Sequence, residues 1–453
     1  MARLRAPTDR FAVLVLAGSL LVHFALQLVP KTTTMIDLRV YRHAPPGLFG
    51  GSLYDFRLGE FSEQFPLPFT YPPFAALVFL PLSWLPWVVV RFGWQLLSIG
   101  CLYWIARCST RLVLGAPARP QALLWTAAAM WIEPVRTTFN YGQVNLFVVA
   151  VLLTALLAGR DVLAGLGVGL ATGMKLMPAI SGLYFLARRR YRAAAWSAAW
   201  FVATVGLMVL VAPTASGQYW LHLLGDASRI GPVGSAINQS LRGALARSAG
   251  FDVAMGPRWV AAALVATVLA GFAMRAAVRA GDAMATILVV QLYGLLISPI
   301  SWSHHWVWVV PALIWLVHGP VAHRSLVRAA ALLWLLLVGS YLVPLLVNAQ
   351  PTIWTIPRPW YLSAPGWAYP AATALMFVAI AATLGRRSPA EQPATPKQPA
   401  TPKQPELADQ PEPAEQPAAA EQAEQAEQAE QPEPAAGLSL AAPAAPAARA
   451  AAR

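Results

Sequence analysis

Apolar residues fall in long runs along this chain, and polar ones gather in short segments between them. Residues 11–29, 194–212 and 329–347 are each nearly or fully long enough to cross a bilayer core of about 30 Å. Similar runs over 87–106, 120–132, 144–158, 259–275, 283–300, 305–317 and 367–384 predict about ten membrane spans in all. Residues 74–86 are too short to cross and carry two prolines, so they read as an interfacial or re-entrant piece. Residues 162–186 hold Lys175 and Pro178 at their middle. A lone lysine at the midplane is expensive, so this run reads as two half-helices rather than one span. The pattern predicts an all-α polytopic membrane protein of about ten to twelve transmembrane helices, broken ones included.

Residues 388–453 break the pattern. They run SPAEQPATPKQPATPKQPELADQ and later AEQAEQAEQAEQ, without an aromatic side chain. Such a segment buries too little apolar area to offset its ordering entropy and is expected to be a disordered tail, separate from a membrane domain over 1–387.

Composition agrees: of 453 residues, 57% are hydrophobic and only 12% charged, where soluble domains carry about 25% charged. The net charge of +13 would suit a nucleic-acid binder, but its distribution argues against one. Before Arg386 there are 27 basic and 10 acidic residues; from there on, 6 and 10. Many basic residues cluster between apolar runs: Arg107, Arg111 and Arg119; Arg188, Arg189, Arg190 and Arg192; Arg275 and Arg279; Arg324 and Arg328; Arg386 and Arg387. With every cluster in the cytoplasm, the first helix runs outward as an uncleaved signal anchor and the tail is cytoplasmic. The arginine-cluster-free polar segments, 31–73, 133–143, 213–257, 301–304 and 348–366, then share the outer side, where they can build one extracytoplasmic cavity. Cys101 and Cys108 match no metal spacing and no disulfide framework.

The candidate chemistry lies in those polar segments. Asp37 follows the first helix closely enough to accept a proton from a sugar hydroxyl at the membrane surface, or it merely caps the next helix. Tyr71, before Pro72-Pro73, is a substrate contact or an interface anchor. In WIEPVRTTFNYGQVN, Glu133, Arg136, Asn140, Gln143 and Asn145 exceed what capping needs and point to sugar or phosphate contacts, although Glu133 and Arg136 are spaced to neutralise each other. Asn238, Gln239 and Arg242 suit hydroxyls and a phosphate, and also read as a turn. His304 and His305, among Trp302, Trp306 and Trp308, are a poor metal pair, but a histidine beside a membrane cavity is a candidate base or phosphate donor. No metal or cofactor is expected. The glycines of GLGVGLATG lack a preceding strand and read as close helix packing, not a nucleotide loop.

In order along the chain, DLRVYRHA, LPFTYPPFAALVFLPL, GQVNLFVVAVLL, GRDVLAGLGVGLATGMKLMP and SWSHHWVWVVP resemble the integral-membrane glycosyltransferases of family 87, over most of residues 11–385. The resemblance implies a C-type glycosyltransferase fold, a polyprenyl-phosphate sugar donor and a glycolipid acceptor among the membrane lipids. It is strongest to actinobacterial α-(1→2)-mannosyltransferases acting on phosphatidylinositol mannosides, lipomannan and lipoarabinomannan. It places the family's essential acid on Asp37 and its functional histidine on His304 or His305, and it adds Tyr41 and Lys175 to the candidate substrate contacts. A β-linked mannosyl donor and an α product imply inversion, with Asp37 as base or acceptor orienter and His305 and Arg242 holding the phosphate. An arabinofuranosyl donor, a lipid-linked sugar flippase and a scaffold remain as alternatives.

Overall fold

The computed structural model describes residues 8–29, 33–59, 66–115, 118–350, 356 and 358–385; the tail expected over 388–453 lies outside the described residues. The chain is almost wholly helical. It opens with α1 (Asp9–Leu28), α2 (Ile36–His43), α3 (Pro73–Phe79), α4 (Trp87–Leu114), α5 (Arg119–Ala129), α6 (Glu133–Tyr141) and α7 (Asn145–Leu157). It continues through α8 (Asp161–Met174), α9 (Gly182–Ala187), α10 (Tyr191–Val211), α11 (Pro213–Gly217), α12 (Leu241–Ala249) and α13 (Pro257–Arg279). The last are α14 (Ala283–Ile297), α15 (Val309–His318), α16 (Ser325–Gly339), α17 (Leu342–Asn348), α18 (Trp360–Ser363) and α19 (Ala368–Leu384). A two-residue ladder pairs Arg57 with Pro68 and Leu58 with Leu67.

The long helices are built for lipid. The buried residues of α1 are Ala12, His23 and Gln27, while Leu14 and Leu21 are 71% and 73% exposed. A helix that turns its leucines outward and its polar groups inward inverts the soluble rule, and it is stable where the outside is hydrocarbon. Among the described residues, α1, α4, α10, α13 and the stretch Trp360–Leu384 are long and apolar enough to cross a membrane. Two bent pairs, α6 with α7 at 118° and α16 with α17 at 42°, raise the count from five to seven. That is fewer than the ten full spans read from the sequence. Several apolar runs fold as shorter helices instead: α5 has 11 residues, α14 has 15 and α15 has 10. The run over 162–186 breaks at Lys175 as expected, with a 3-10 turn over Met177–Ser181 between α8 and α9. Residues 73–84 form α3 and a 3-10 turn, short of a span.

The glycine run is a packing device. A Cβ on Gly165 would overlap Trp196, one on Gly169 would overlap Trp200, and one on Gly173 would overlap Thr204, so α8 lies directly against α10. Arg190 and Asp161 close the arginine-rich end of this pair at 2.7 Å. The opposite end of α8 delivers Lys175.

Candidate active site

A cavity of about 790 Å3 opens among α2, the 67–72 segment, the turn after α6, the break at Lys175, the 223–237 loop and the 298–305 segment. Asp37, Tyr41, Tyr71, Gln143, Lys175, Arg242, His304 and His305 all line it.

Asp37 reaches the cavity through a strained start to α2. Met35 takes a left-handed conformation at φ 52° before the helix, and its N–H donates to Asn140 O at 2.8 Å. Thr34 N–H donates to Asn140 Oδ1 at 3.0 Å. Asn140 thus fastens the chain just before Asp37 and does not line the cavity. The next turn needs glycine: Gly142 sits at φ 69°, and a Cβ there would come within 2.6 Å of Leu38 Cβ. That close approach carries Gln143 to Asp37. Gln143 Oε1 accepts from Tyr41 Oη at 2.9 Å and from Tyr71 Oη at 3.2 Å, which leaves its amide to hydrogen-bond the Asp37 carboxylate. The two tyrosine hydroxyls lie 2.7 Å apart. Burial pushes the Asp37 carboxyl up to about 7, against the pull of the Gln143 hydrogen bond and the Lys175 ammonium. No side-chain cap forms at the start of α2, so Asp37 is not a capping residue.

Lys175 Nζ donates to Asn145 Oδ1 at 2.7 Å and lies 5.5 Å from the Tyr71 ring centroid. The other end of the same amide, Asn145 Nδ2, donates to His304 O at 2.8 Å. Thr138 Oγ1 reaches that carbonyl too, at 3.2 Å. His304 and His305 meet edge to face at 4.8 Å, and Tyr141 stands edge-on to His304 at 5.5 Å. Neither ring nitrogen of His304 has a partner among the described residues. A buried imidazole that lines a cavity with both nitrogens unengaged is ready for a ligand.

Other sequence candidates turn out to build the frame. Glu133 is fully buried away from the cavity; it accepts from Thr137 Oγ1 at 2.9 Å, Ser303 Oγ at 2.8 Å and Tyr369 Oη at 2.7 Å. Arg136 does not neutralise it. Instead Arg136 Nη1 meets His23 Nδ1 at 3.0 Å and its guanidinium covers Trp131. Asn238 donates to Val233 O and Pro299 O and accepts from Ser240 N–H and Ser301 N–H. Gln239 donates to Ala236 O and accepts from Tyr369 N–H. Both are fully buried and neither lines the cavity, because they tie the 237–239 strand-like segment to the residues just before His304. Arg242 lines the cavity, yet Asp252 holds it through contacts of 2.9 and 2.6 Å.

Tyr54, Tyr141, Tyr219 and Arg229 also line the cavity, and the sequence reading missed them. Tyr141 was within reach, next to the glycine turn. Tyr54 lies in a turn, Tyr219 in a π-helical turn over Gln218–Leu223 and Arg229 in a 3-10 turn over Ala227–Arg229, where only tertiary packing assigns a direction. Among the described residues, no group of three or more His, Cys, Asp or Glu side chains is placed to hold a metal.

The family model for glycosyltransferase family 87 matches residues 69–299. A polyprenol-phosphate-mannose-dependent α-(1-2)-phosphatidylinositol pentamannoside mannosyltransferase of Mycolicibacterium smegmatis is 48% identical over 84% of this chain and 92% of its own length. A protein of the same description from Mycobacterium tuberculosis is 45% identical over 81% of this chain and 86% of its own. A phosphatidylinositol mannoside mannosyltransferase of M. tuberculosis is 35% identical over 73% and 80%. No solved structure matches the chain.

Proposed function

The chain belongs to glycosyltransferase family 87, and from that premise we propose that it transfers a mannosyl residue from polyprenol-phosphate-mannose to a hydroxyl of a phosphatidylinositol mannoside, forming an α-(1→2) linkage. The observation that carries the reading is one cavity uniting a carboxyl of raised pKa, an ammonium and an unengaged imidazole. Asp37 takes the proton from the acceptor hydroxyl as its oxygen attacks the anomeric carbon; the sugar–phosphate bond breaks, and its electron pair leaves on the phosphate. A base whose pKa lies near the working pH suits this step. The donor is an anionic phosphodiester and departs as the weakly basic polyprenyl phosphate dianion, so it needs charge stabilisation rather than a strong acid. Lys175, His304 and His305 are the groups to provide it. Gln143, Tyr41 and Tyr71 hold Asp37 and meet sugar hydroxyls. Attack opposite the leaving phosphate inverts the anomeric centre.

The arginine-rich ends of α4, α10, α13 and α16 lie away from the cavity along their helices, which supports a site on the extracytoplasmic side of the plasma membrane and a cytoplasmic tail. On this reading the C-type fold is completed to ten to twelve membrane segments by the shorter apolar helices, α8 and α14 among them. The relatives carry mannose in their descriptions, and no observation favours an arabinofuranosyl donor or a flippase. Product analysis with purified protein, polyprenol-phosphate-mannose and a panel of phosphatidylinositol mannosides tests the proposal. A new α-(1→2)-mannose on the acceptor supports it; turnover only with polyprenol-phosphate-arabinose, or no transfer, rejects it.

A further inference from the structure

We infer that Arg57 and Arg229 form a phosphodiester site at the loop end of the cavity, occupied by the lipid phosphate of the acceptor; the inference rests on the mannosyltransferase reading. Two guanidinium groups converge there on one backbone oxygen. Tyr54 O accepts from Arg57 Nη1 at 2.7 Å and from Arg229 Nη2 at 2.7 Å. Arg229 lines the cavity, also reaches Phe69 O at 3.3 Å, and lies 5.1 Å from the Tyr54 ring centroid. Neither arginine is ion-paired with a carboxylate among the described residues. Among the described residues, the acids that Arg229 feels are Asp226 and Asp55. Asp226 is engaged by Ser228 N–H at 3.0 Å and Ser228 Oγ at 2.5 Å, and Asp55 is exposed. Arg57 Nη1 also donates to Phe56 O at 2.8 Å, so the two like charges, which repel each other, share three carbonyls that offer only partial charges in return. An oxyanion with several lone pairs resolves that arrangement, and the guanidinium fork matches a phosphodiester.

The donor's phosphate cannot be the occupant. It is bonded to the carbon under attack, so it must lie across that carbon from the hydroxyl that Asp37 deprotonates, at Lys175 and the histidines. Lys175 faces Asp37 and the imidazoles of His304 and His305, whereas Arg229 faces Arg57, Tyr54, Asp226 and Asp55. The cavity therefore holds two separate cationic centres. A phosphatidylinositol mannoside has its phosphate at one end of the glycan and the reacting hydroxyl at the other, which fits a cavity with a cation at each end. Tyr54 and Tyr219, both on the cavity wall, stack at 5.7 Å and 26° and offer a flat apolar face to the sugars.

The test uses the purified full chain with polyprenol-phosphate-mannose as donor and two acceptors: a phosphatidylinositol mannoside and the same mannoside glycan without its phosphatidyl group. For Arg229→Ala and Arg57→Ala, KM for the lipid acceptor rises about tenfold or more while kcat and the donor KM hold, the pattern of lost uniform binding. With the phosphate-free glycan both variants match the parent protein, and Arg229→Lys recovers part of the lipid-acceptor affinity. Arg57, exposed on its strand, keeps the test valid if Arg229→Ala folds poorly. An unchanged acceptor KM, a rise in donor KM instead, or equal losses on both acceptors in both variants overturns the inference and leaves the mannosyltransferase reading standing. If the parent protein transfers mannose to neither acceptor, the mannosyltransferase reading itself fails.

Discussion

Asp37 and Glu133 each occupy the first turn of a short helix that follows a break in the chain, yet they end in opposite circumstances. Glu133 is fully buried, and its two oxygens accept from three hydroxyls. Asp37 lines the cavity beside one amide and one ammonium. A carboxylate whose lone pairs are saturated by fixed donors is part of the frame. One that keeps capacity toward an open volume can still exchange a proton. The Asn238 and Gln143 amides repeat the contrast: Asn238 is saturated by backbone groups, and Gln143 divides its bonds between two tyrosines and Asp37.

The comparison breaks most visibly at Asp37. Asp37→Asn is expected to cost at least about a hundredfold in kcat, the lower range for a lost general base. Its folded pKa of about 7 stands above the ordinary carboxylate value, so the ionised form opposes folding at higher pH. The melting temperature of Asp37→Asn at pH 8 therefore holds or rises; a fall would mark Asp37 as structural. Glu133→Gln is expected to do the reverse. Disrupting its hydrogen bonds from Thr137, Ser303 and Tyr369 costs about 1–3 kcal/mol, read as a lower melting temperature, while folded protein keeps the pH dependence of the parent. The smallest effect belongs to Arg242→Ala, less than about fivefold in kcat/KM, because Asp252 already engages that guanidinium in a partly exposed pair.

Much of this was legible from residue order. The midplane lysine with Pro178 announced a broken helix, and the spaced glycines announced the α8–α10 contact. Polar segments without arginine clusters marked where a cavity forms. What the order could not separate was frame from chemistry within one segment. Glu133, Asn140 and Gln143 lie on or just after α6, yet only Gln143 faces the cavity, since the Gly142 turn redirects the chain after the helix ends. Arg229 escaped notice because its direction depends on Tyr54 and Phe69, more than 150 residues away. Helix lengths were overestimated because apolar content persists through 3-10 turns that adjoin a helix, as over Ser303–Trp308 before α15.

The pH dependence of kcat/KM, measured for the parent protein and for Lys175→Met, tests most directly whether Asp37 is the tuned base. Transfer requires the ionised carboxylate, so the acid limb of kcat/KM in the parent rises through a midpoint near 7, and because burial brings Lys175 down to about 7 as well, an alkaline limb falls as the ammonium is lost. The Lys175 ammonium favours that ionised form, so its removal moves the midpoint to higher pH. A midpoint that stays in place or moves down in Lys175→Met would contradict the account.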